Sequence, residues 1–139
     1  MMTKLVKYPD VICNLKSLKD LTLSSISIKT LLPAALSNLT NLESLFIHLN
    51  LKQLPESIGN LNALKWIHIG SSNLTTLPES LDDLFWRKAH ETEESKKMEL
   101  ICFYGCADLV FSPKMEETVE LLEEHCQVYL QDADETPWE

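Results

Sequence analysis

Leu15, Leu18, Leu21 and Leu23 recur as Leu39, Leu42, Leu45 and Ile47 and again as Leu61, Leu64, Ile67 and Ile69, at offsets of 24 and 22 residues, with Leu84 a further 23 on. A chain that copies an L-x-x-L-x-L core at this period is committed to a solenoid, because no unit can bury its own apolar face and each must stack on a neighbour. Within each copy the pairs Leu21/Leu23, Leu45/Ile47 and Ile67/Ile69 follow the two-residue period of a strand. Stacked in parallel about 4.8 Å apart, such strands send those side chains into the core. The other face then carries Asp20, Thr22 and Ser24, then Ser44, Phe46 and His48, then Trp66, His68 and Gly70. The steps Leu32-Pro33, Leu54-Pro55 and Leu77-Pro78 mark where each unit turns back, since proline lacks the N–H a ladder needs and fixes φ at about −65°.

The run Leu42, Leu45, Ile47, Asn50, followed by LPESIGNL over 54–61 and LPESLDDL over 77–84, resembles the leucine-rich repeat superfamily. Within it, the LPxx step is similar to that of the typical class found in Ras-suppressor-type, plant intracellular and bacterial repeat proteins. The resemblance covers residues 5–84. It implies an α/β fold, a short right-handed solenoid whose curved parallel sheet lines a concave protein-binding face. It also implies an asparagine that bonds the turn backbone after each strand. Asn50 fills that place, whereas Ile26 and Ser72 stand at the aligned positions.

Leu5, Tyr8-Pro9, Ile12 and Leu15 copy the spacing of Leu74, Leu77-Pro78, Leu81 and Leu84, so the sequence opens inside a unit whose strand half is missing. That spacing leaves the strand beginning near Lys19 with an open edge, and a homodimer through this N-terminal edge is the expectation. At the other end the pattern fails at Arg87, and RKAHETEESKK over 87–97 reads as a surface loop or an exposed helix, within a polar linker over 85–97. Beyond it, MELICFYG is a strand candidate. Ser112-Pro113 forms a helix start with serine at N-cap and proline at N1, and Met115, Val119 and Leu122 mark its apolar face. CQVYLQ alternates like a strand. Repeats over 1–84, a linker over 85–97 and a strand–helix–strand cap with a frayed tail over 98–139 make up the expected organisation.

The net charge is −9, and all of it falls after residue 84, where five basic residues meet fourteen acidic ones. Without a basic stripe, nucleic acid and anionic membrane surfaces are not expected as partners. The opening residues carry no apolar run of the kind that marks a secretory signal, and the four cysteines lack disulfide or zinc spacing, so a cytoplasmic protein with reduced thiols is expected. The sequons at Asn38 and Asn73 each centre on a core leucine and arise from the repeat itself.

Function is expected on the outward strand positions. Phe46, His48, Trp66 and His68, with Ser44 and Thr22 beside them, would form a patch of aromatic anchors suited to a protein partner. A register slip that buried Phe46 or Trp66 would expose the core leucines and isoleucines. A metal at His48 and His68 lacks further ligands, since Ser24, Ser44 and Gly70 are poor ones, and there is no glycine-rich phosphate loop. Neither metal nor cofactor is expected. Cys106-Ala107-Asp108 matches the Cys-x-Asp triplet that some bacterial ubiquitin ligases place after leucine-rich repeats, but too little chain follows Leu84 for such a domain. The leading expectation is a non-enzymatic, scaffold-like protein-binding module, with a structural or self-assembling unit as the alternative.

Overall fold

The computed structural model of the chain describes residues 2–5, 15–25, 34–49, 51–71 and 73–131. A six-stranded parallel sheet runs through them in chain order: β1 (Met2–Leu5), β2 (Asp20–Ser25), β3 (Ser44–Leu49), β4 (Trp66–Gly70), β5 (Leu100–Tyr104) and β6 (Gln127–Gln131). Two helices, α1 (Glu79–Ala89) and α2 (Pro113–Leu122), and the 3-10 turns Ala34–Asn38, Glu56–Asn60 and Glu94–Lys96 lie on the return paths of the described residues. The chain is thus α/β and built by stacking. Tyr8-Pro9, Ile12, Cys13, Ile26, Leu32-Pro33, Asn50, Ser72 and the tail after Gln131 lie outside the described residues.

The strand register confirms the period-two reading. Leu21, Leu45, Ile67 and Ile101 stand side by side, as do Leu23, Ile47, Ile69 and Phe103. All eight are at most 2% exposed, each worth about 1.5–3 kcal/mol of transfer free energy. Leu18, Leu42, Leu64 and Met98 back them from three residues before the first row and are equally buried. The backbone repeats with the same fidelity. The Lys19 carbonyl accepts from Glu43 N at 2.8 Å and Ser44 N at 3.0 Å; Glu43 O does so from Lys65 and Trp66, and Lys65 O from Glu99 and Leu100, at the same lengths.

Two expectations about the ends of the stack are corrected. Residues 2–5 form a strand that pairs with β2, so the β2 edge is not open and β1 is the first strand of the sheet. The strand half of the first unit is present but close: successive register partners Leu5, Leu23, Ile47, Ile69, Phe103 and Leu130 are separated by 18, 24, 22, 34 and 27 residues. The break expected at Arg87 falls inside α1, and the stack goes on into the strands expected at MELICFYG and CQVYLQ. Met98, Ile101 and Phe103 repeat the spacing of Leu64, Ile67 and Ile69, and the extra length of that unit holds α1, which crosses the 84/85 boundary and buries Leu81, Leu84, Phe85 and Lys88.

Local contacts fix how the return segments stack. A Cβ on Gly59 would lie 2.4 Å from the Ser80 backbone, so only glycine lets the Glu56–Asn60 turn approach α1 this closely. There Ser80 Oγ donates to Glu56 O at 2.5 Å and Ser80 N to Glu56 Oε2 at 3.1 Å. Ser71, buried, ties the turn after β4 to the preceding one: its Oγ accepts from Leu51 N at 3.1 Å and donates to Leu51 O at 2.7 Å. Ser112 caps α2 as expected, accepting from Met115 N at 3.0 Å, and also donates to Asp82 Oδ2 of α1 at 2.9 Å. At the C-terminal end burial falls away, with Leu130 of β6 59% exposed although it shares the core-side row of Phe103.

Candidate functional site

On the face of the sheet turned away from the core, the register places three rows. Thr22, Phe46, His68, Cys102 and Tyr129 form the middle one; Asp20, Ser44, Trp66, Leu100 and Gln127 lie on one side, Ser24, His48, Gly70 and Tyr104 on the other. Thr22, Ser44, Phe46, His48 and Trp66 are half-buried. His68 departs from the exposed patch expected for it, being 0% exposed.

Gly70 explains that burial. It has no side chain between its register partners His48 and Tyr104, whose rings flank it, each about 3.6 Å from where a Cβ would stand. Those rings close over His68. The His48 and His68 rings stack with centroids 4.6 Å apart at 8°, Tyr104 lies 6.1 Å from His68, and Phe46 lies 5.5 Å away on the adjacent strand. Burial, and then the neighbouring His48, lowers the His68 pKa from 6.5 to about 4, so this imidazole is neutral at pH 7.

The structure therefore brings Phe46, His48 and His68 into one aromatic cluster and adds Tyr104, which the sequence reading missed. Its signal was available: Tyr104 follows Met98 by the six residues that separate Gly70 from Leu64 and His48 from Leu42. Trp66 stands one row away, where the Lys65 ammonium lies 5.8 Å from its ring centroid, a cation–π contact. Ser44 is its register neighbour and Thr22 that of Phe46.

The chemistry of the remaining candidates is quiet. Among the described residues, no three His, Cys, Asp or Glu side chains are grouped to hold a metal ion, and no helix is long and apolar enough to cross a membrane. Cys102, Cys106 and Cys126 are free thiols. Burial pushes the Cys106 thiol up, against the direction a nucleophile requires, and its Sγ faces the Ile69 and Tyr104 carbonyls at 3.6 Å. Asp108, the other member of the triplet, is exposed.

No family profile and no curated protein matches the sequence. Among solved structures, the chain is similar to a leucine-rich-repeat protein of Leptospira interrogans, at 24% identity and a TM-score of 0.53 over 90% of this chain. It spans 34% of the length of that protein. A six-stranded parallel sheet stacked in chain order, together with this likeness, makes the fold leucine-rich-repeat-like.

Proposed function

We propose that the chain is a non-enzymatic protein-interaction module that binds a macromolecular partner on the sheet face opposite its core. The observation that carries this reading is the half-buried aromatic cluster of Phe46, His48 and Tyr104, with Trp66 beside it, on the broad face of a leucine-rich-repeat-like stack. Phe46, His48 and Trp66 are the contact residues, Thr22 and Ser44 their polar rim, and buried His68 the support beneath them. We take the solenoid to be right-handed, of the LPxx class and concave on this face. Residues 98–139 serve as its C-terminal cap. Buried free thiols at Cys102 and Cys126 suit a reducing, cytoplasmic setting.

Capture of partners from a lysate of the source cells tests the reading, with wild type compared against Phe46→Ala and Trp66→Ala. Each substitution is expected to weaken capture by about 2 kcal/mol or more, roughly thirtyfold, with circular dichroism unchanged. Undiminished capture by both variants would refute it.

The exposure of Leu130, with Val110 at 68% lining the same surface cleft, favours a second reading in which the β6 end joins a further copy. Sedimentation of wild type against Leu130→Lys separates the two, since only self-assembly requires the wild type to associate and the variant to dissociate.

A further inference from the structure

A second feature lies at the strand entrances, where the end of α1 and the 94–96 turn face the residues preceding β3 and β4. A cleft of about 690 Å³ opens there. Lys65, Arg87, Lys88 and Lys96 line it, four of the chain's twelve basic residues, against the carboxylates Glu43 and Glu91. This is a local excess of positive charge on a chain of net charge −9.

Lys88 is the informative member. Its side chain is 5% exposed, and its Nζ donates to the Lys96 carbonyl at 2.8 Å, one acceptor for a group that carries three donors. Burial pushes its pKa down; Glu91 opposes that, and Lys65, Arg87 and Lys96 press it down further. Beside it the Arg87 guanidinium is held by Gly59 O at 3.2 Å and Asn62 Oδ1 at 3.1 Å. Cations in the last turn of a helix complement its negative end, which accounts for Arg87 and Lys88 on α1. It does not account for Lys65 and Lys96, brought by two other segments to the same opening, Lys96 in an exposed ion pair with Glu93 at 3.1 Å. Nor does it supply Lys88 with its remaining acceptors.

We propose that this cleft binds an oxyanion, a carboxylate or phosphate group of a small ligand, with Lys88 at its buried end and Lys65 and Lys96 closing over the bound charge. An anion supplies acceptors for the ammonium and offsets the repulsion that Lys65, Arg87 and Lys96 exert on it, in competition with Glu93 for Lys96. Inorganic phosphate and succinate serve as probes, titrated separately at constant ionic strength while the amides of residues 84–91 are followed by NMR. Saturable shifts confined to the cleft are expected with at least one probe, and the probe that binds identifies phosphate or carboxylate as the preferred group. The double substitution Lys65→Met with Lys96→Met, which leaves the buried lysine in place, should weaken that binding at least tenfold; Lys88→Met should abolish it. Shifts that never saturate, that spread to remote lysines such as Lys52, or that persist undiminished in the double variant would overturn the assignment.

Discussion

His68 offers the most direct physical test of how the outer face is built. Its ring is enclosed by His48, Phe46 and Tyr104, and its register neighbour on β5 is buried Cys102. The folded state holds its pKa at about 4 against 6.5 in the unfolded chain. Between those values the unfolded chain binds the proton and the folded one does not, so stability rises with pH across the window and is lost as pH falls through it. At about 1.4 kcal/mol for each pH unit between the two values, the loss comes to about 3 kcal/mol by pH 4, with about 2 kcal/mol already gone at pH 5. Urea unfolding of wild type and His68→Gln at pH 7, 6, 5 and 4 isolates this contribution, because the acidic residues titrate in both proteins. The stability of the wild type should fall by about 3 kcal/mol more than that of the variant between pH 7 and 4. Parallel curves, agreeing within about 0.5 kcal/mol, would mean that His68 is not enclosed in the native protein.

Gly59→Ala places a methyl group against the Ser80 backbone and should cost about 1–3 kcal/mol in urea unfolding, whereas an unchanged midpoint would show that the Glu56–Asn60 turn and α1 do not meet so closely. Ser112→Ala removes both the α2 cap and the hydrogen bond to Asp82 and should cost about 1–2 kcal/mol; hydrogen exchange should report earlier opening at the start of α2, and protection equal to wild type there would count against the joint.

Much of the fold was legible because leucine spacing is a direct record of stacking. Leu42, Leu45 and Ile47 and their copies gave strand positions, parallel pairing and the inward face, and Ser112-Pro113 gave the start of α2. The ends were harder to read for two physical reasons. β1 sits only 18 residues from its register partner in β2, and MTKL offers a single leucine, so no period could reveal it. The unit containing β5 carries methionine and phenylalanine where its neighbours have leucine and isoleucine, and α1 stretches its spacing to 34 residues. Core packing accepts that exchange of apolar side chains, but a count of leucines does not register it. At the site, alternation put His68 on the correct face and said nothing of its depth. Its burial follows from the bare backbone of Gly70 and from Tyr104, whose strand was expected but was not aligned with the repeats that set the outward rows.

Photo-crosslinking from defined positions would show whether partners engage the outer face of the sheet. Benzoylphenylalanine would be placed at Phe46 in one protein and at Asn60, exposed on the Glu56–Asn60 return turn, in another, with both irradiated in lysate of the source cells. A discrete adduct is expected from position 46, competed away by unlabelled wild type and absent from position 60. A competed adduct from position 60, with none from position 46, would contradict it.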